Sequence, residues 1–292
     1  MARIQNNNNS SIQLIKKSNN LVESRYKFDI WETRFFLSIL TQIRRGDMTF
    51  NTYRIWYKDV MKTYGLSYGD AYSALREAAK SLSNKSVYIN YEIDGVKREQ
   101  KYNLIKKVDY MLERQVRAEN HEYIDVTVDE DMKPFLLQMS KNFTAYDFQN
   151  VIKLGVYSVR IYELLKQYES IGHRTLIIDE MKSMFQIENK YKLYADFYRS
   201  VVKSSEAEIN KHTDLQIIDI EKLKEGRKIT ALRFTFQRKT PQTPTKEDEV
   251  PLKETSTINL PATDYEIVEA PNQKNTTSAK QVPIEVNTQE HL

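Results

Sequence analysis

Apolar residues along this chain recur first at helical spacing and then at strand spacing, and the whole order comes round a second time. Phe35, Phe36, Ile39, Leu40 and Ile43 follow one another at intervals of one and three, which predicts an amphipathic helix. Ahead of them, Asp29-x-x-Glu32 has the form of an N-cap with an acidic residue three positions on, and Gly46 is expected to close the segment. Tyr53 to Trp56 reads as a short strand, and Lys58 to Tyr64 as a short helix with Gly65 as its C-cap. Ser67-x-x-Asp70 then caps a helix whose buried side is Ala71, Leu75, Ala78 and Leu82. Val87, Ile89, Tyr91 and Ile93 alternate as a half-buried strand does. Asp94-Gly95 makes a tight turn after them, and Tyr102 to Val108 is the expected return.

The second half repeats this order. Tyr157, Ile161, Leu164, Leu165 and Tyr168 share one side of a helix, with Arg160, Glu163, Lys166 and Gln167 on the far side, and Gly172 ends it. Thr175 to Ile178 follows as a strand, Asp179 to Phe185 as a short helix, and Tyr191 to Lys211 as a long one. Leu215 to Ile220 and Ile229 to Phe236 form a closing hairpin around Lys224-Glu225-Gly226-Arg227. Helix, strand, helix, helix, hairpin, occurring twice, predicts an α+β protein of two tandem winged-helix domains. The expected division is a flexible polar N-terminus (1–18), a first winged helix (19–128), a second (129–239) and a C-terminal tail (240–292). A connector from Asp129 to Asn150 holds a short helical segment at Pro134 to Met139, with few flexible residues to loosen it.

Charge separates body from tail. The tail has 4 Lys+Arg against 9 Asp+Glu and holds 6 of the 7 prolines, whereas the first 239 residues carry 40 basic and 31 acidic groups. A net charge of +9 on the body and −5 on the tail is the asymmetry expected of a nucleic-acid binder. With a single aromatic residue, the tail lacks the apolar surface to offset the entropy of ordering, so disorder is expected there. The chain has no cysteine, which excludes a disulfide framework, a thiol nucleophile and Cys-ligated metals. Neither G-x-x-x-x-G-K nor G-x-G-x-x-G occurs, and no apolar run approaches the ~20 residues of a membrane span. The expectation is a cytosolic, non-enzymatic protein with no membrane association, metal or other cofactor.

In a helix-turn-helix the second helix enters the major groove. On the long helix of the second domain, Lys192, Asp196, Arg199, Lys203 and Asn210 lie opposite the apolar side and are candidates for base or phosphate contact. An ordinary solvated face would carry similar charge. The first domain offers Tyr72, Ser73, Arg76 and Lys80, with Lys85 just beyond, a less charged set better suited to positioning on phosphates. Arg227 and Lys228 at the second hairpin's turn could touch the backbone as a wing, although basic turns also serve solubility.

Tyr157-Ser158-Val159-Arg160-Ile161-Tyr162-Glu163-Leu164-Leu165 resembles the S-x-R-[LI]-Y-E-L segment of the iteron-binding replication initiators of theta-replicating plasmids. Asp196-Phe197, Val201-Val202, Glu208-Ile209-Asn210 and Thr213-Asp214-Leu215 resemble that family's recognition-helix region, and Asn20-Leu21-Val22 through Phe28 to Glu32-x-Arg34 its opening. Two positions depart from the pattern. Ser204 stands where a proline is frequent, so the helix is expected to run on, and Arg199-Ser200 replaces a basic pair. The resemblance implies monomers binding direct repeats in double-stranded origin DNA through both domains, followed by origin melting and engagement of a host helicase or host initiator. It also implies dimers, joined through the first domain, that bind an operator inverted repeat, repress their own gene and so enter copy-number control.

Two rivals remain at this level. A rolling-circle nicking initiator would need a tyrosine beside a His-x-His metal site, but His121, His173, His212 and His291 are scattered singly. A winged-helix transcription regulator would use the same surface chemistry.

Overall fold

A computed structural model describes residues 13–44, 46–112, 122–137, 139 and 141–239. The acidic tail, expected to be disordered, lies outside the described residues. The described residues open with strand β1 (Leu14–Ser18) and a single helical turn α1 (Asn19–Val22) capped by the Ser18 hydroxyl. The flexible N-terminus expected through residue 18 is therefore wrong from Leu14 onward. Ile15 and Lys17 are buried and β1 pairs antiparallel with a strand more than 120 residues away, a partner that no local pattern announces.

Helix α2 (Ile30–Leu40) starts on the capping box anticipated from Asp29 and Glu32: Asp29 accepts from the Trp31 and Glu32 amides, and Glu32 accepts the Asp29 amide at 2.6 Å. It stops at Leu40, before Ile43 and Gly46, because the chain already turns at Thr41. Then come β2 (Thr52–Trp56), α3 (Tyr57–Tyr64), and α4 (Tyr68–Leu82), whose Ala71, Leu75, Ala78 and Leu82 are all buried as expected. Gly65 between the two helices has a φ of 66°, the left-handed cap that glycine adopts without steric cost.

Strand β3 (Ser86–Ile93) turns through Asp94 and Gly95, both at positive φ, into β4 (Val96–Asn103). Only Val87 and Ile89 are buried. Tyr91 and Ile93 stand in solvent, so the alternation there does not mark a core face. Tyr102 to Val108 is not one return strand either: the chain bends at Leu104 into β5 (Ile105–Tyr110), which pairs with β6 (Tyr123–Val128). β6 also pairs with β2, giving a sheet of order β2-β6-β5.

The connector holds a 3₁₀ turn (Glu130–Met132), α5 (Lys133–Leu136) and β7 (Phe143–Asp147), the partner of β1. Helix α6 (Val156–Lys166), strand β8 (His173–Ile177) and helix α7 (Ile178–Met184) follow. The long helix then runs from Tyr194 to His212 as α8 (Tyr194–Phe197), a π-helical stretch (Tyr198–Lys203) and α9 (Ser204–His212). It begins three residues later than the pattern suggests, since Tyr191 has a positive φ, and it does run on through Ser204. Phe197, Val201, Ser205 and Ile209 are all buried at intervals of four, a spacing that drifts around an α-helix and that a locally wider turn keeps on one side. Strands β9 (Leu215–Glu225) and β10 (Lys228–Arg238) close the unit in the order β8-β10-β9.

These are two tandem winged-helix domains. α4 begins 38 residues after α2 does (Ile30 to Tyr68), and α8 begins 38 residues after α6 (Val156 to Tyr194). Both three-stranded sheets place the last strand between the other two, so the counterpart of β9–β10 is β5–β6, and the β3–β4 ribbon is an addition to the repeat.

Helix α6 departs furthest from its pattern. Arg160 and Glu163, expected on the solvent side, are 4% and 0% exposed. The segment from β1 to Phe28 covers that side. Lys17 Nζ donates to Glu163 Oε1 at 2.6 Å, Tyr146 also donates its hydroxyl there, and Arg160 Nη2 donates to the Ser24 carbonyl at 2.6 Å. Arg174 reaches Glu23 from the same side, and the Tyr26 amide donates to the Met184 carbonyl. This N-terminal strap also meets the first domain's added ribbon, where Arg25 bridges to Tyr88 and pairs with Glu99.

Candidate nucleic-acid interface

The third helix of each winged helix, which is the second of its helix-turn-helix, presents its polar side to solvent, but the candidate residues do not share one fate. In the second domain Arg199 and Lys203 are exposed on the helix, Arg199 to 79% of its side chain, while Lys192, expected on the same helix, is exposed in the loop just ahead of it, because the helix starts only at Tyr194. Arg199 and Lys203 are each tethered to a carboxylate one turn along. Arg199 pairs with Asp196 at 2.9 Å and Lys203 with Glu206 at 2.7 Å. The bond to Glu206 holds the Lys203 ammonium above the usual lysine pKa, so it stays charged. The Arg199–Asp196 pair is exposed on both sides and contributes little to stability, so Arg199 can exchange partners at small cost, whereas the Glu206 carboxylate is only 20% exposed and holds Lys203 more firmly.

Asn210 is different. Its Nδ2 donates to the Ile217 carbonyl at 3.0 Å, and its Oδ1 accepts the Ile217 amide at 2.6 Å. The amide that would read an adenine is spent on docking the start of β9 onto α9, so Asn210 is a structural residue here.

In the first domain Ser73 and Lys80 are exposed, whereas Tyr72 is half-buried against Tyr57 and donates its hydroxyl to the Met111 carbonyl. Arg76 is half-buried, with its guanidinium 5.6 Å from the Tyr110 ring. Lys85 turns inward and pairs with the buried Glu32 carboxylate at 2.5 Å, tying the end of α4 to the start of α2. It is not a free surface cation. At the second hairpin's turn Arg227 is exposed and Lys228 lies 3.5 Å from the exposed Asp179. The solvent-facing candidates are therefore Lys192, Asp196, Arg199, Lys203, Ser73, Lys80, Arg227 and Lys228.

Two cations beside the long helix escaped notice in the sequence. Lys222 on β9 lies 4.4 Å from the Tyr198 ring, and Lys190, which donates to the Tyr157 hydroxyl, is held above the usual lysine pKa by the phenols of Tyr191 and Tyr157. Lys222 carries a signal only in hindsight, as an exposed position on the strand facing that helix. The Tyr194 phenol on the same helix is pushed up to about 12 by burial, so it remains a neutral donor. Among the described residues, no group of three or more His, Asp or Glu side chains is placed to hold a metal ion. No helix among them is long and apolar enough to cross a membrane.

Comparison with known proteins adds the family. A model described as "Initiator Replication protein, WH1" matches residues 14–166, and one described as "Initiator Rep protein, WH2" matches residues 177–236. The chain belongs to the initiator replication protein family. The first match extends through α6, which the repeat of elements counts as the opening helix of the second winged helix. A replication initiation protein from Escherichia coli is 24% identical over 215 residues, covering 70% of this chain. The aligned stretch spans 64% of that relative's own length. Among solved structures, the Pi initiator protein in complex with iteron DNA superposes with a TM-score of 0.64 at 20% identity. That match covers 78% of this chain and 98% of the other, and it bears on the fold.

Proposed function

We propose that this initiator-family protein starts replication of a plasmid by binding direct repeats at its origin as a monomer, one winged helix in each of two successive major grooves. The observation that carries the reading is the repeated architecture itself. Two winged helices whose first and third helices begin the same 38 residues apart each expose that third helix, and Arg199 and Lys203 stand on the outer side of the one in the second domain. Arg199 is the best candidate for base-edge readout, with Lys192, Lys203 and Lys222 on phosphates. Lys80 and Ser73 position the first domain, and Arg227 and Lys228 serve as a wing. Opening the origin then lets a host helicase or initiator enter, and a dimer formed through the first domain represses the gene from an inverted repeat. The Pi initiator's complex with iteron DNA supports the DNA class, and family membership supports the process.

The test is binding of the full chain to duplex origin repeats and to random duplex, without metal or nucleotide. Preference for the repeats supports the proposal. So does a steep salt dependence: roughly 6–10 phosphate contacts lower affinity about 10³–10⁵-fold between 50 and 200 mM salt. Equal affinity for both duplexes sinks it. Preference for an inverted repeat alone favours a transcription regulator instead.

A further inference from the structure

We infer that the cavity between α2, the N-terminal strap and α6 is a binding site for a small organic monoanion with an apolar body. The cavity is about 170 Å³ and its walls are mostly apolar, with Phe28, Phe36, Leu37, Val159 and Phe185 among them. Three cations line it, Lys17, Lys27 and Arg160, and no carboxylate does. Lys17 is neutralised by Glu163, and Lys27 is exposed. Arg160 is the unusual one. It is 4% exposed, yet its only hydrogen bond among the described residues goes from Nη2 to the Ser24 carbonyl. Its Nε and Nη1 meet no acceptor there. The guanidinium lies 3.8 Å from the Tyr26 ring and 5.6 Å from the Phe185 ring, which supplies π-electrons but no counter-charge.

A buried charge without an ionised partner is costly, and a guanidinium presents a planar fork that matches a carboxylate. An anionic head group on the free edge of Arg160 satisfies both. Apolar cavities of about 150 Å³ accept a benzene ring, so the volume suits a one-ring or short-chain carboxylate. The occupant would touch α2 of the first domain and α6 of the second through one molecule. Its effect therefore falls on the coupling of the two domains. None of this depends on the DNA reading.

Benzoate, octanoate and the neutral benzamide are the probes, titrated into the full chain by calorimetry and by thermal shift. Binding of benzoate or octanoate at one site, with benzoate about tenfold tighter than benzamide, is the expected result. Benzoate and octanoate together distinguish a ring from a chain as the apolar body. Arg160→Met should remove the preference for the charged probe while leaving the cavity. Should that variant fail to fold, Val156→Phe, at a half-buried position on the cavity wall, should abolish binding by filling it. No saturable binding of either carboxylate overturns the inference. Equal affinity for benzoate and benzamide does so too, as does binding unchanged in Val156→Phe.

Discussion

Lys17 Nζ stands 2.6 Å from Glu163 Oε1 across 146 residues of sequence, and neither side chain is more than 2% exposed. The pair fastens the N-terminal strap to the first helix of the second winged helix. Removing one member leaves the other charge buried without a partner, so Glu163→Gln or Lys17→Met should each cost about 3–5 kcal/mol. Replacing both with apolar residues should cost clearly less than the sum of the two. Denaturant unfolding of the three variants checks this, and additive losses would mean that the two charges do not depend on each other.

Asn210 and Arg199 should separate cleanly. Asn210→Ala strands the amide and carbonyl of Ile217 and should lower stability by about 1–3 kcal/mol. Arg199→Ala, on an exposed side chain, should leave stability within about 0.5 kcal/mol and instead cost about 1–3 kcal/mol in binding to the preferred duplex, with relaxed specificity. Paired unfolding and binding titrations decide it. The assignment fails if Asn210→Ala is as stable as the native chain.

Helix α6 has no side-chain cap of its own, because its N-cap is Gly155. Glu208 on α9 supplies one, accepting the Gly155 amide at 2.6 Å. A carboxylate at a helix N-terminus also meets the favourable end of the dipole. Glu208→Ala should therefore destabilise the second domain by about 0.5–2 kcal/mol. Hydrogen exchange at Gly155 should speed up in the variant, and unchanged protection there would discount the cap.

Alkaline pH should weaken the fold. The buried phenols of Tyr146 and Tyr162 are both held above the ordinary tyrosine pKa of 10, first by burial and then by the carboxylates they bond, Glu163 and Asp214. Below pH 10 both states keep these protons. Above it the unfolded chain releases them while the folded chain does not, so stability declines as pH rises, by about 1.4 kcal/mol per pH unit for each phenol. Urea midpoints at pH 9 and 11 test the sign. Tyr146→Phe and Tyr162→Phe each also remove a hydroxyl donor to a carboxylate, Glu163 and Asp214 respectively, so the readout is the slope with pH, which each should flatten, and not the absolute stability.

Solvent-facing DNA candidates offer a final contrast. Lys80→Ala should weaken binding to all sequences alike and reduce the salt slope by about one. A sequence-dependent loss would assign Lys80 to base readout.

Local chemistry announced most of the elements. Caps at Asp29 and Ser67, the left-handed Gly65, the Asp94-Gly95 turn and the three-and-four spacing of Ala71 to Leu82 all act within a few residues, and each stands where it was expected. Their order, read twice, was enough for the tandem winged helix, and the Tyr157-to-Leu165 segment for the family. What the pattern could not supply was any property set by a distant partner. Arg160 and Glu163 have the polarity of a solvated face, and only a strap from residues 14–28 makes that face an interior. Asn210 and Lys85 have the chemistry of DNA contacts and are committed instead to Ile217 and Glu32. A side chain's polarity states what bonds it can make, and its neighbours in space, brought there by the packing of the whole chain, decide which of them it makes.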